Sequence, residues 1–259
     1  MSPAGLAGVV LAAGFGTRLR PLTDMRPKAL CPVGGVALVD HALRRLQPYT
    51  GSGPACCAVN AHAHAAAVVG HVGGRAHLSV EQPEPLGTAG GLGLLREWVA
   101  GRDVLLTNAD AWLPGGLEPL LRDWDGERPR LMVTDAGRPS DFGRRRYVGA
   151  ALLPWTAVRT LEPRPSGLYE VIWRDAEREG RLDVVDAGAP ALDCGTPADY
   201  LAANLDASGG LSVVGAGAVV LGSVTRSVVW DGAYVGPDET LVDAIRAGDR
   251  RHPVTVDAR

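Results

Sequence analysis

The sequence predicts an α/β fold, a mostly parallel sheet wrapped by helices and followed by a short β-helical tail. Three observations carry that expectation. Short β-type runs alternate with helix-like segments through residue 205, the pattern of strands joined by helical crossovers. From residue 211 the texture changes to LSVVGAGAVVLGSVTRSVVWDGAYVGPDETL, where Val and small residues recur at roughly six-residue intervals, as in a parallel β-helix of less than two coils. A composition of 46% hydrophobic and 21% charged residues over 259 positions describes a globular chain with a substantial core, and excludes disorder and a collagen-like chain.

In chain order, the first strand is read at 7–12 (AGVVLA), an apolar run that ends in a Gly-rich loop. A helix candidate follows at 38–47 and a strand at 55–59 (ACCAV). Next come a helix at 62–72, a strand at 77–80 (HLSV) and a helix at 88–99, which opens with Thr88 placed as a cap. The strand at 103–107 (DVLLT) precedes a helix at 115–124, and strands at 130–134 (RLMVT) and 147–153 (YVGAALL) precede helices at 167–178 and 196–205. The change of texture draws a boundary at 206/207, with a larger domain over 1–206 and the tail over 207–259.

The formal charge of −3, with basic residues spread throughout, gives no reason to expect a nucleic-acid or membrane partner. No apolar run reaches the ~18 residues of a membrane span. Residues 1–14 lack a basic n-region, which argues against a signal peptide and for a cytoplasmic protein. Cys31, Cys56, Cys57 and Cys194 form no CxxC pair and read as reduced thiols packed as small apolar groups. His62, His64, His71 and His77 read as a helix surface rather than a zinc site, and the tryptophans read as packing residues. One count stands out: of 26 basic residues, Lys28 is the sole lysine and the rest are arginine.

The first chemistry lies after the opening strand, in L-A-A-G-F-G-T-R-L-R-P-L-T-D-M-R-P-K-A-L at 11–30. A dinucleotide fingerprint fails because Leu19 stands where its third glycine belongs, and a Walker A loop fails because Lys28 lies between Pro27 and Ala29. What remains is a Gly-rich turn that presents backbone N–H groups to an anion, followed by two fixed charges, Arg18 and Lys28. Pro21 and Pro27 bias Arg20 and Arg26 towards extended backbone, so the segment is expected to fold over a polyphosphate rather than enter a helix.

This loop resembles the signature of the sugar-1-phosphate nucleotidylyltransferases, G-x-G-T-R-L-x-P-L-T-x-x-x-P-K, matched at Gly14, Gly16, Thr17, Arg18, Leu19, Pro21, Leu22, Thr23, Pro27 and Lys28. Three further segments fall where that family has them: E-P-L-G-T-A-G-G-L at 84–92, L-L-T-N-A-D at 105–110 and L-D-C-G-T-P-A-D-Y at 192–200. The resemblance covers about residues 6–206 and implies a Rossmann-like, nucleotide-diphospho-sugar transferase type of fold, with a left-handed β-helix-like tail that is common in the family.

The resemblance implies a reaction in which a sugar-1-phosphate oxygen attacks the α-phosphorus of a nucleoside triphosphate and pyrophosphate leaves. Positioning and charge neutralisation supply most of the rate in such a step. It implies Arg18, Lys28 and Asp110 as catalytic residues, and Asp110 with Asp193 as the carboxylates that hold Mg²⁺. For the nucleotide it implies Leu11, Ala12, Gly14, Gly16, Thr17, Gln82, Gly87 and Thr88, with Gln82 reading the base edge; for the sugar phosphate, Asn108, Gly149 and Glu170. The chain departs from the family in having no second lysine in an E-K-P segment, and the corresponding region reads D-F-G-R-R-R-Y-V-G, so one of Arg144, Arg145 or Arg146 is expected to supply that charge. Ala191 and Leu192 stand where relatives carry a tryptophan before the second metal aspartate.

The expected partners are therefore a nucleoside triphosphate and a sugar-1-phosphate or sugar-like cyclitol phosphate. Guanylyl transfer from GTP is favoured by E-P-L-G-T-A-G, with uridylyl or thymidylyl transfer as the alternatives. A non-catalytic sugar-nucleotide-binding subunit is the reading from another class, and retention of Arg18, Lys28, Asp110 and Asp193 argues against it. Family habit also admits a homo-oligomer through the tail.

Overall fold

The computed structural model describes residues 5–258, and contacts divide them into two compact units. One unit contains the chain up to Gly14 together with His41–Ala191; the other contains Phe15–Asp40 together with residues 192–258. Contacts thus cut the chain elsewhere than the change of texture does, since the signature loop and the D-C-G-T segment group with the tail.

The first unit is built on a seven-stranded mixed sheet. Its strands are β1 (Leu6–Leu11), β2 (Cys57–Ala61), β3 (His77–Val80), β4 (Asp103–Asn108), β5 (Arg130–Ser140), β6 (Gly143–Leu153) and β7 (Asp183–Asp186). They lie in the order β7-β5-β6-β4-β1-β2-β3. The pairs β1–β4, β1–β2, β2–β3 and β7–β5 are parallel, while β6 runs antiparallel to both β4 and β5. The central strand β1 is buried from Leu6 to Val10, as a strand covered on both faces requires, which is why it reads as an unbroken apolar run. Val9, Leu92, Val104, Leu106, Leu131, Leu153 and Trp173 share one core on this sheet.

Several elements differ from their sequence expectation. The β5–β6 hairpin is longer than 130–134 and 147–153, because the distal halves of both strands leave the core and carry exposed Gly, Arg, Pro and Asp residues that hide the β pattern. The expected helix at 88–99 splits into α3 (Gly87–Leu94) and a single turn at Arg96–Val99. Thr88 is not its cap: the N-cap is Leu86, and the Thr88 hydroxyl accepts the N–H of Leu168 at 2.8 Å. The helix at 115–124 shrinks to Glu118–Leu121, and that at 167–178 opens with a wide turn at Tyr169–Trp173. The helix at 38–47 extends as α1 (Leu38–Thr50), and that at 62–72 begins later, as α2 (Ala65–Val72). Among the described residues no helix is long and apolar enough to cross a membrane. No disulfide joins cysteines among the described residues, and burial pushes the Cys31 thiol up to about 12.

In the second unit the loop after Gly14 makes single helical turns at Thr17–Leu19, Leu22–Met25 and Lys28–Leu30. Arg20 and Arg26 are extended before their prolines, as expected, but the segment between them does take a helical turn. Helix α4 (Pro197–Ala207) begins with Thr196 as N-cap, its hydroxyl accepting the Asp199 N–H, and with Pro197 at the first position. The tail stacks short parallel strands in which Val213 pairs with Val228, Val228 with Ile245, Val219 with Tyr234 and Ser223 with Thr240. It therefore completes two coils and starts a third, which the antiparallel strand Val254–Asp257 closes; the hexapeptide texture fades before that third rung.

One hydrogen-bond chain braces this unit. Trp230 of the tail donates its indole N–H to the Tyr200 hydroxyl at 3.0 Å, and that hydroxyl donates to the Pro32 carbonyl. Tyr200 is fully buried and Trp230 nearly so, so neither partner has water as a substitute. Tyr200→Phe is expected to destabilise the protein by about 1–3 kcal/mol, leaving the buried Trp230 N–H unpaired and the Pro32 carbonyl with only the longer bond from Asn204; urea unfolding of the variant beside the wild type measures it.

Candidate active site

The carboxyl ends of β1, β2 and β4 bring Leu11, Asn60 and Asn108 side by side, with Leu11 in register with both asparagines. Ligands of open α/β sheets sit at that edge, outside the strand ends. There the first unit forms a cleft of about 210 Å³ whose wall includes Leu11, Gly14, Asn60, Gly87, Asn108 and Asp110. This is below the ~300–1,000 Å³ of clefts that enclose a whole drug-sized ligand. It has room for one end of a nucleotide.

The turn that carries Asp110 is held at both ends. Arg45 of α1 donates to the Thr107 hydroxyl at 2.8 Å and to the Ala111 carbonyl at 2.7 Å, and the Ala109 N–H donates to the Leu11 carbonyl at 2.9 Å. Gly149 on β6 packs against this turn, where an added Cβ would lie 3.2 Å from the Asn108 side chain and 3.0 Å from Ala111. Asn108, Asp110 and Gly149 are thus brought together. Burial, and secondarily the Asp110 carboxylate, push the phenol of Tyr147 well above its usual range. Tyr147 packs on Trp173 at 4.8 Å, and both line a second cavity of about 440 Å³ with Asp141, Phe142 and Tyr169.

In the second unit, two cations from the loop converge on Asp193. Arg18 Nη2 lies 3.3 Å from Oδ2 and Lys28 Nζ lies 3.4 Å from Oδ1. Their settings differ: the Arg18 side chain is 65% exposed, whereas that of Lys28 is 11% exposed. Gly16 makes the corner that allows this, with φ of 65° and no room for a side chain, since a Cβ would meet Thr23 at 2.9 Å and Lys28 Cβ at 3.0 Å. The Thr23 hydroxyl closes the corner on the Gly16 carbonyl at 2.9 Å.

Other expected residues fall elsewhere. Gln82 is exposed and is absent from the cleft wall, because the chain leaving β3 alternates and points Glu81 inward instead. The N–H of Ala12 is already taken by the Asn60 side chain, and Gly16 and Thr17 belong to the second unit. Glu170 is exposed in the wide turn, its carboxylate folded over Gly167. Arg144 and Arg145 line a different cavity, with Phe142 and Glu177, and Arg144 faces Asp135 at 3.7 Å. Arg146 instead donates to the carbonyl of Ala191 at 3.3 Å. The sequence reading missed Asn60 and Glu81, both buried polar residues beside the cleft. A lone Asn at the end of an apolar strand, followed by an acid just past the next strand, is the signal available in sequence.

Asp110 and Asp193 are hard oxygen donors, the chemistry that suits Mg²⁺. No group of three or more His, Cys, Asp or Glu able to hold a metal occurs among the described residues. Mg²⁺ needs none, because it keeps waters and borrows phosphate oxygens.

The sequence model of the nucleotidyl transferase family matches residues 7–147. An N-acetylmuramate alpha-1-phosphate uridylyltransferase of Caulobacter vibrioides is 36% identical over 155 residues, 55% of this chain and 63% of that protein. A mannose-1-phosphate guanyltransferase of Emericella nidulans is 25% identical over 228 residues, 76% of this chain and 62% of that protein. The chain thus spans under two thirds of the length of these curated relatives. A crystal structure described as mannose-1-phosphate geranyltransferase from Thermus thermophilus superposes with a TM-score of 0.71 at 17% identity, covering 98% of this chain and 95% of that one. At that identity the likeness shows the fold.

Proposed function

Because the chain belongs to the nucleotidyl transferase family, we propose that it is an enzyme that transfers a nucleoside monophosphate from an NTP to a sugar-1-phosphate with release of pyrophosphate. The observation that carries this reading is the convergence of Arg18 and Lys28 on Asp193, two cations on the Gly-cornered loop that follows β1 in sequence. A structural role alone does not call for a lysine whose side chain is almost wholly covered beside a second cation.

In this reading the base end of the NTP takes the cleft lined by Leu11, Gly14, Gly87 and Thr88. Arg18, exposed and planar, binds the β- and γ-phosphates and stabilises the charge that gathers as pyrophosphate departs. Lys28 acts as a point charge on the phosphates between nucleotide and sugar. Mg²⁺, when bound, neutralises phosphate oxygens, and Asp110 and Asp193 are the carboxylates offered to it. Asp193 exchanges its cations for that role while the polyphosphate takes them over. Asn108 and Gly149 serve the sugar side of Asp110. Of the three arginines expected to replace the family's second lysine, Arg146 is the one favoured, because its guanidinium reaches the chain two residues before Asp193.

The base is the finer question. The E-P-L-G-T-A-G loop favours guanine, whereas the uridylyltransferase is the more similar over its aligned segment, 36% over 155 residues against 25% over 228 for the guanyltransferase. UTP and GTP are accordingly the first pair to compare. In the alternative reading, the chain is a sugar-nucleotide-binding subunit without turnover.

Pyrophosphate release measured across UTP, GTP, CTP and dTTP with a panel of sugar-1-phosphates is expected to require both substrates and Mg²⁺. Nucleotide binding without turnover for any pair would favour the subunit. With the productive pair, Lys28→Arg is expected to lower kcat/KM by about 10²-fold or more, because a broad fork misplaces charge where a compact ammonium fits. Near-wild-type turnover in that variant would remove Lys28 from the mechanism. Arg146→Ala is expected to raise the KM for sugar phosphate by about tenfold, with Arg144→Ala and Arg145→Ala close to wild type. Equal behaviour of the three variants would end that assignment.

A further inference from the structure

Glu81 is a carboxylate with no exposed surface, placed just past β3, and Asn60 beside it at the end of β2 is 2% exposed. Buried polar groups of this kind persist where every lone pair and proton finds a partner. Here each one does. Glu81 Oε1 accepts from Asn60 Nδ2 at 2.6 Å, and Oε2 accepts the Leu86 N–H at 2.7 Å. Asn60 turns its Oδ1 to the Ala12 N–H at 2.6 Å. The Glu81 backbone is fixed as well, its N–H donating to the Ala61 carbonyl at 2.9 Å.

The two ends of this chain of hydrogen bonds adjoin two separate stretches of the cleft lining. Ala12 sits between Leu11 and Ala13, and Leu86 between Pro85 and Gly87; all four of those neighbours line the cleft, as does Asn60 itself. Helix α3 closes over the pair at Gly91, where a Cβ would stand 2.5 Å from Glu81 Oε1 and 2.8 Å from Asn60 Nδ2. Only glycine lets the helix approach so closely.

We infer that Asn60 and Glu81 are positioning residues that set the spacing of the cleft walls, holding 11–14 and 85–88 apart at the separation a nucleotide base requires. They touch no reacting atom. The inference rests on the reading of the cleft as the NTP site. The order of donors and acceptors makes it specific: Ala12 and Leu86 both donate, so the pair between them must face outward with two acceptors and no donor, and must keep one donor for the bond within the pair. An amide at 60 with a carboxylate at 81 satisfies that order. A carboxylate at 60 with an amide at 81 satisfies it equally and keeps the charge.

The test is this exchange in the full chain, read by thermal midpoint, by nucleotide Kd in Mg²⁺ for UTP, GTP, CTP and dTTP, and by KM for each substrate. Glu81→Gln sets an amide N–H₂ against one donor in either orientation, and Asn60→Asp sets two carboxylates together. Each single variant is expected to raise the nucleotide Kd and the NTP KM about tenfold or more while the sugar-phosphate KM moves far less. The double variant Asn60→Asp/Glu81→Gln is expected to recover most of that loss. Single variants with a lowered midpoint but unchanged nucleotide Kd would overturn the inference and leave a merely structural pair. So would a folded double variant that binds nucleotide no better than the singles. A wild type that binds nucleotide without turnover defeats the transfer reaction and leaves the Kd series to decide this inference; one that binds none of the four nucleotides defeats both.

Discussion

The ammonium of Lys28 is the constraint around which the second unit is arranged. With a side chain only 11% exposed, it has lost most of its hydration and needs an anion held close. Asp193 provides one at 3.4 Å and comes from 165 residues further along the chain. The Arg18–Asp193 pair is different in kind: both side chains are substantially exposed, and such pairs contribute only ~0–1 kcal/mol. Lys28 therefore explains why Asp193 is fixed, and Arg18 is a second charge gathered at the same place. The delivery of Asp193 depends on local chemistry just after it. Gly195 leaves space that a Cβ would take from Arg18 Nη2 at 2.6 Å, and Thr196 with Pro197 starts α4 at once. D-C-G-T-P is thus a charge, a gap and a helix cap in five consecutive positions. The same helix carries Tyr200, whose hydroxyl holds Pro32 in the segment that follows Lys28, so the tail, through Trp230, steadies the loop that bears the charge.

The first unit solves another problem, that of holding irregular backbone at a sheet edge. Parallel strands end together there, and each loop leaving them carries N–H and C=O groups without ladder partners. Arg45 absorbs two acceptors on either side of the Asp110 turn, and Asn60 with Glu81 absorbs two donors on the opposite side of β1. A sheet edge satisfied in this way by long side chains keeps its loops in one conformation while the cleft between them stays open.

How much of this was legible in sequence follows from how local each feature is. Strands β1 and β4 were readable because a buried parallel strand needs only its own apolar run, and the loop was readable because Gly16, Pro21, Pro27 and Lys28 lie within fifteen positions. Features defined by pairing were not. The distal β5–β6 hairpin has charged residues where a core strand would be apolar, and it is a ladder only because each half finds the other. The grouping of Phe15–Asp40 with the tail depends on contacts nearly two hundred residues apart in sequence. Gln82 and Glu81 show the nearest miss. Adjacent residues of an extended chain point in opposite directions, so Glu81 turns into the interior, where two N–H groups meet its carboxylate, and Gln82 turns to the surface.

The single lysine among so many arginines now has a physical explanation that composition lacked. Arginines here collect carbonyls: Arg102 donates to the carbonyls of Ala55, Trp98 and Val99, and Arg130 to those of Leu120, Arg122 and Asp123. That work uses a planar fork with several fixed donors, and a background that favours arginine suits it. Position 28 sets a different requirement. Its Cβ and Cδ would stand 3.0 Å and 3.5 Å from a Cβ at Gly16, so the stem runs along a corner kept clear by a glycine, and the mostly covered head lies 3.4 Å from Asp193. A four-carbon stem with a compact charge suits such a corner, whereas a guanidinium about three heavy atoms wide brings a broader head. The packing of Gly16, Thr23 and Lys28 thus suits a lysine, and the charge it leaves beside Asp193 is compact, largely desolvated and ready to exchange a carboxylate for phosphate oxygens.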